Sequence, residues 1–297
     1  MTSPLIIPMP HNEAMAQAIA KFLDVGIGKI ESRSFPDGET YLRFESDVAG
    51  RTLVLICTLD RPNEKILPLL FAAATARQLG AKSVSLVAPY LAYMRQDRRF
   101  KPGEAVTSRE VARLLSNSFD WLVTVDPHLH RYGSLSEIYT MPTQVVHAAP
   151  LISQWIATNV SNPIIIGPDS ESEQWVSAVA KDVGAPYTVL EKTRLGDREV
   201  KLSIKTLENF NGRMPVLVDD IISSGRTMIE AVRLLKEHGV STPACVAVHG
   251  LFSDNSDQHL AQAGAHVVTA NTIPHSTNRI DATELLALSV QNFIGFV

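Results

Sequence analysis

The chain has 297 residues, 45% hydrophobic and 20% charged, with a formal net charge of -4, which is the profile of a globular protein of about two domains. That balance excludes a global attraction to nucleic acid or to an anionic membrane, so an anionic substrate needs a local basic cluster. No apolar run approaches the roughly 18 residues that span a bilayer, and the start "MTSPLIIPMPHNEAM" lacks a basic region followed by a long apolar core, so the expectation is a cytoplasmic protein with no nucleic-acid or membrane partner.

In chain order, "LIIPM" reads as a strand. "NEAMAQAIAKFLDV" follows as a helix, with Asn12 as its N-cap. "TLVLICTL" is a strand, "EKILPLLFAAATARQLG" a helix with Pro68 early and Gly80 closing it, and "SVSLVAPYL" a strand. "TSREVARLLSNS" is a helix capped by Thr107 or Ser108, and "WLVTVDPH" a strand ending in polar residues. The second half continues with the strand "NPIIIGPD", the helix "SEQWVSAVAKDVG" closed by Gly184, the strand "PYTVLEK" and the polar "TRLGDREVK". Strand "MPVLVDD", helix "TMIEAVRLLKEHG" and strand "PACVAVHGLF" complete the pattern. Alternation of this kind predicts parallel sheets covered by helices. The two cysteines, Cys57 and Cys245, fall in apolar strands and read as reduced, buried packing residues.

An internal repeat is visible. "RTLVLICTL…AAATARQLGAKSVSLVAPYL" aligns with "RMPVLVDDI…IEAVRLLKEHGVSTPACVAVHGL". The copies differ at one strand end. The second has Asp219-Asp220 and then Ser223-Ser224-Gly225-Arg226-Thr227, where the first has Cys57-Thr58-Leu59-Asp60-Arg61-Pro62. Adjacent carboxylates repel unless a cation or a hydroxyl-rich ligand offsets the repulsion. Small hydroxyl residues around a glycine at a helix start form an anion cradle. A helix N-cap with acidic neighbours is the plainer alternative, but so many such residues after a buried strand favour a ligand loop, at the place where α/β sheets bind ligands.

Other clusters are ambiguous alone. Arg95, Arg98, Arg99 and Lys101 lie within seven residues after a strand, either a solvated face or a polyphosphate grip. Asp126, His128 and His130 in "VDPHLHR" suggest a metal or phosphate site, though not zinc by spacing. "SFPDGETYLRF" contains a turn at Pro36-Asp37-Gly38. "EKTRLGDREV" reads alone as an exposed charged loop.

Taken together these segments resemble, in order and over nearly the whole chain, the ribose-phosphate diphosphokinases, also called phosphoribosyl-diphosphate synthases. The stretch "VLVDDIISSGRTM" is similar to the phosphoribosyl-diphosphate signature of type I phosphoribosyltransferases, and "PYLAYMRQDR" to the family's Arg-Gln-Asp-Arg segment. The resemblance implies an α/β fold of two tandem phosphoribosyltransferase-like domains, each a mostly parallel sheet flanked by helices. Their expected spans are 1–145 and 146–297, with the last few residues free to return to the first domain. It implies that Asp219 and Asp220 hold the ribose hydroxyls and that Ser223, Ser224, Gly225, Arg226 and Thr227 wrap the 5-phosphate. Arg95, Gln96, Asp97 and His128 would contact ATP, and Phe35, Asp37 and Glu39 would hold adenine in a neighbouring subunit's site. A self-associating protein with a shared active site is therefore expected. His128, with Asp126 nearby, would hold Mg2+ or the ATP phosphates, Asp169 would help hold a second metal, and Lys192 and Arg194 would be catalytic on a mobile loop. The implied reaction joins ATP and ribose 5-phosphate to give phosphoribosyl diphosphate and AMP.

Two departures qualify the match. Ser170-Glu171-Ser172-Glu173 stands where glycines are usual after Asp169, and Ser-Ser-Gly-Arg-Thr with "KPGEAVTSRE" looks closer to the archaeal-type branch, which puts allosteric control in doubt. A phosphoribosyltransferase and a catalytically silent, nucleotide-binding homologue remain as rivals.

Overall fold

The computed structural model describes residues 3–194, 200–203, 210 and 212–295, with the side chains of 171, 174, 191–194 and 200–203 outside the description. Two units are present, one running to Val146 and rejoined from Thr283 onward, the other His147–Ala282.

The first unit opens with β1 (Leu5–Pro8), α1 (Glu13–Leu23), β2 (Gly26–Ile27) and a hairpin of β3 (Ile30–Ser34) and β4 (Thr40–Phe44). It continues with β5 (Thr52–Ile56), α2 (Pro62–Gln78), β6 (Ser83–Ala88), α3 (Thr107–Ser116), β7 (Leu122–Val125) and β8 (Thr143–Val146). Leu53 to Ile56 and Val84 to Ala88 are buried without a break of alternation, as parallel strands covered on both faces must be. On α1, Ala16, Ile19, Ala20 and Leu23 are buried at helical spacing, and each large apolar side chain so buried contributes about 1.5–3 kcal/mol.

The second unit holds α4 (Ala149–Asn159), β9 (Pro163–Gly167), α5 (Glu173–Val183), β10 (Tyr187–Val189), β11 (Glu191–Arg194) and β12 (Val200–Ser203). Then come β13 (Met214–Ile222), α6 (Arg226–Glu237), β14 (Ala244–Gly250), α7 (Ser256–Gln262), β15 (His266–Ala270) and β16 (Asn278–Ile280). The last helix, α8 (Thr283–Ile294), belongs to the first unit and packs on α1, β7 and β8.

The repeat read from sequence is the frame of both sheets. Their orders are β2-β1-β5-β6-β7-β8 and β10-β9-β13-β14-β15-β16, all parallel. In each, the first strand pairs on one side with the second and on the other with the third. The order therefore reverses between β1 and β5, and between β9 and β13, leaving a crevice at the carboxyl ends of those strands.

Two expected caps differ. Asn12 precedes α1 but makes no capping bond; its side chain is used elsewhere, as described below. Helix α3 begins at Thr107 after an uncapped Val106, and the Thr107 hydroxyl instead donates to Gln96 Oε1 at 3.1 Å. Gly184 ends α5 in the left-handed conformation expected of it, at φ 71°. Both cysteines are buried, and burial pushes each thiol up to about 12, which fits inert packing residues. Among the described residues no helix is long and apolar enough to cross a membrane.

Candidate functional site

In the second unit, β13 pairs with β9 only as far as Leu217 but with β14 as far as Ile222. The end of β13 is thus covered on one edge and open on the other, at the crevice. Asp219 and Asp220 sit on this overhang and are half-buried. The Asp219 carboxyl is pushed well above the ordinary aspartate range, first by burial, then by the charges of Asp220 and Asp169. Asp169, which follows β9, therefore belongs to the same cluster.

The residues after Asp169 make a tight turn. The N–H and hydroxyl of Ser172 both donate to the Asp169 carbonyl, at 3.2 and 2.6 Å. A Cβ on Gly167 would lie 2.4 Å from Ser172 Oγ, so glycine is required there. The departure noted in the sequence is a serine-closed turn leading into α5.

Ser223, Ser224 and Gly225 connect the overhang to α6, whose first residues are Arg226 and Thr227. Gly225 is left-handed at φ 66°, a conformation glycine adopts without strain. The loop ends at the amino end of a helix, where N–H groups lack intrahelical partners and favour an anion. Ser223, Ser224 and Thr227 are half-buried and Arg226 is exposed.

At the corresponding strand ends of the first unit stands a hydrogen-bonded amide instead of carboxylates. Asn12 Oδ1 accepts from the Thr58 N–H at 2.8 Å, and Asn12 Nδ2 donates to the carbonyls of Met9 and Pro10 at 3.3 and 2.9 Å. One buried amide thus joins the ends of β1 and β5, where the other unit keeps its carboxylates.

The first unit offers other groups at its strand ends. After β6, Arg95, Arg98, Arg99 and Lys101 are exposed, while Asp97 is buried. Arg131 Nη1 donates to both Asp97 carboxylate oxygens, at 2.9 and 3.0 Å, and Tyr132 donates to the Asp97 carbonyl at 3.0 Å. The guanidinium groups of Arg98 and Arg131 both lie over the Phe100 ring, 4.9 and 5.5 Å from its centre. Glu104 accepts from the N–H groups of Phe100 and Lys101 at 2.7 and 3.0 Å. The basic loop is therefore braced against the loop after β7.

That second loop carries Asp126 and His128, both with positive φ, 31° and 53°. Such backbone in non-glycine residues concentrates at functional sites. His128 Nδ1 and His130 Nε2 are 3.2 Å apart, with ring centres at 4.0 Å.

Phe35, Asp37 and Glu39 occupy the tip of the β3–β4 hairpin, a separate two-stranded sheet. All three are exposed. The turn is closed by Phe35 N–H to Glu39 O at 2.7 Å and by Glu39 N–H to Asp37 Oδ1 at 3.2 Å. The Arg33 guanidinium lies over both Phe35 and Tyr41, 5.0 and 4.3 Å from their centres.

Lys192 and Arg194 lie on β11, which pairs antiparallel with β12; their side chains, and residues 195–199 between the strands, lie outside the described residues. Sequence reasoning missed Arg131 and the true task of Asn12. Neither carries a local signal, because each acts on a partner distant in the chain.

Comparison with known proteins places these features in context. Residues 5–118 match the family described as the N-terminal domain of ribose phosphate pyrophosphokinase, and residues 134–284 match the phosphoribosyl transferase domain. The chain is 33% identical to the ribose-phosphate pyrophosphokinase of Methanopyrus kandleri, over 98% of this chain and 100% of that one. It is 32% identical to that of Saccharolobus solfataricus, over 96% and 100%. The phosphoribosylpyrophosphate synthetase from Mycobacterium smegmatis has a similar structure, with a TM-score of 0.86, 26% identity and 99% of each chain covered.

Proposed function

The chain belongs to the ribose-phosphate pyrophosphokinase family, and on that premise we propose that its second unit takes ribose 5-phosphate and its first unit ATP. The enzyme transfers the β,γ-diphosphoryl group of ATP to the 1-hydroxyl of ribose 5-phosphate, giving 5-phosphoribosyl 1-diphosphate and AMP. The observation that carries the division of roles is the contrast between the two crevices. One holds the hydrogen-bonded amide of Asn12, and the other holds Asp169, Asp219, Asp220 and the glycine-serine loop.

Asp219 and Asp220 accept from the ribose hydroxyls. Ser223, Ser224, Gly225, Arg226 and Thr227 receive the 5-phosphate through N–H groups, hydroxyls and one guanidinium. Arg95 and Gln96 contact the ATP phosphates, and Asp97 holds their loop through Arg131. Asp126 and His128 serve the same phosphates. The hairpin tip reaches a neighbouring subunit, where Phe35 stacks on adenine and Asp37 and Glu39 orient its amine, so self-association completes the site.

The family requires a divalent metal, and the residues fit Mg2+: oxygen donors gather at Asp169, Asp219 and Asp220, with burial and mutual repulsion raising the Asp219 carboxyl. We assign Asp169 to one such metal, and His128, with Asp126 nearby, to a second or to the ATP phosphates themselves. When bound, Mg2+ supplies charge neutralisation to the phosphate groups.

In the transfer, the ribose 1-oxygen forms a bond to the β-phosphorus of ATP, the bond from that phosphorus to the α-phosphate oxygen breaks, and AMP leaves with that oxygen. The 1-hydroxyl proton is released to solvent. Positioning and charge neutralisation dominate such a reaction. Lys192 and Arg194 supply positive charge to the moving group. The experiment is AMP release from ATP and Mg2+, with and without ribose 5-phosphate, for this chain and Lys192→Ala. Release that depends on ribose 5-phosphate, with a loss of about a hundredfold or more in the variant, supports the assignment. No AMP from folded protein that binds ATP would overturn it in favour of a regulatory homologue.

A further inference from the structure

Behind the Ser223–Thr227 loop runs the segment joining β14 to α7. Phe252, Asp254 and Asn255 in this segment are all left-handed, at φ 48°, 57° and 56°. None is glycine, and such backbone persists only where its surroundings hold it. The Phe252 ring occupies the space a Cβ on Gly250 would fill, with a ring carbon 2.4 Å from that position. On another side it meets the His275 ring, 4.5 Å between centres. His275 is itself fixed, with Nδ1 2.9 Å from Thr277 Oγ1 and Nε2 3.6 Å from Asp257.

The strained segment is tied to the glycine-serine loop at several points. The N–H groups of Leu251 and Phe252 both donate to the Ile222 carbonyl, at 2.9 and 3.2 Å. Ser256, fully buried, donates its hydroxyl to the Ser223 carbonyl at 2.7 Å. Ser253 and Ser223 hydroxyl oxygens are 3.3 Å apart. A Cβ on Gly225 would lie 2.8 Å from Ser256 Cβ, so the two segments touch at van der Waals distance. In a planar trans peptide the carbonyl and the following N–H point in opposite directions. With the Ile222 and Ser223 carbonyls held from behind, the N–H groups of Ser223 and Ser224 face away from the segment.

We propose that Ser256 is a positioning residue for ribose 5-phosphate: by holding the Ser223 carbonyl it aims the Ser224 N–H at the 5-phosphate. The inference rests on reading Ser223–Thr227 as the ribose 5-phosphate loop. Steady-state kinetics and thermal-shift titrations with ribose 5-phosphate test it on the full chain, Ser256→Ala and Thr227→Ala. Loss of one aimed donor predicts a KM for ribose 5-phosphate about tenfold higher in Ser256→Ala, with a matching loss of thermal protection by that sugar and an ATP KM within about twofold. Ser256→Cys keeps a heteroatom at the same position but offers only a weak donor, and it shifts the same constant if the alanine variant does not fold. A folded Ser256 variant with unchanged sugar affinity, or with both KM values raised alike, overturns the inference when Thr227→Ala weakens sugar binding. If Thr227→Ala leaves sugar binding intact, the reading of the loop falls and the inference with it.

Discussion

The rings of Trp121 and Phe293 stack nearly parallel, 4.7 Å between centres at 9°. Trp121 directly precedes β7, and Phe293 lies near the end of the chain's last helix. This contact, with the buried Leu286, Ala287 and Val290, is what returns the C-terminus to the first unit. Phe293→Ala should destabilise that unit by about 2 kcal/mol, less than a fully buried phenylalanine because the ring is partly exposed. Urea unfolding followed by tryptophan fluorescence measures it. No loss of stability would mean that α8 is held by its aliphatic face alone.

Asp219 links stability to pH in a known direction. Its carboxyl is raised in the folded state by burial, Asp220 and Asp169. A raised acid favours folding while it is protonated. The contribution is full below the ordinary aspartate range and is lost as pH rises through the raised value. Asp219→Asn should therefore raise the melting temperature at pH 8 by about 2 °C or more, with the gap narrowing toward pH 4. The same variant should lose ribose 5-phosphate binding. A lower melting temperature at pH 8 would contradict the electrostatic account.

Arg131 and Asp97 form one unit. Removing the guanidinium leaves a buried carboxylate without its main donor, so Arg131→Met should cost about 2 kcal/mol after allowing for the exposure of Arg131. Adding Asp97→Asn should cost less than the sum of the two single changes, because the carboxylate is then neutral. The ATP KM should rise in Arg131→Met while the sugar KM moves little. A strictly additive double-mutant cycle would rule out the pairing as the cause.

The hairpin makes a prediction about mixed assemblies. Phe35→Ala and Lys192→Ala proteins should each be poorly active. If sites are shared, refolding the two together forms some sites from the intact Phe35 of one subunit and the intact Lys192 of another. Mixed assemblies should then exceed the activity of either parent. Activity equal to the average of the parents would place Phe35 and Lys192 of the same chain in one site.

Much of the sheet-forming sequence was legible because parallel strands buried on both faces read as unbroken apolar runs, as in Leu53–Ile56 and Ile164–Ile166. The repeat was legible because both copies must meet the same packing demands, and it maps onto the same sheet positions in β5–α2–β6 and β13–α6–β14. The short β2, β8 and β16 were not read, since GI, TQVV and NRI are not the unbroken apolar runs that mark the equally short β1 and β7.

For the site, the sequence by itself determined which residue types follow each strand: paired carboxylates and a glycine-serine loop after β13, a basic run after β6, and an Asp-x-His after β7. These are local, because the chemistry of a strand-end loop is written in consecutive residues. Only the tertiary structure decided that Asp169 joins Asp219 and Asp220, that Asn12 ties the ends of β1 and β5, and that Arg131 holds Asp97. Each of these depends on which strands become neighbours and on what a long-range partner leaves exposed. Neighbours of that kind follow from the free energy of packing the whole sheet, which no short stretch of sequence contains.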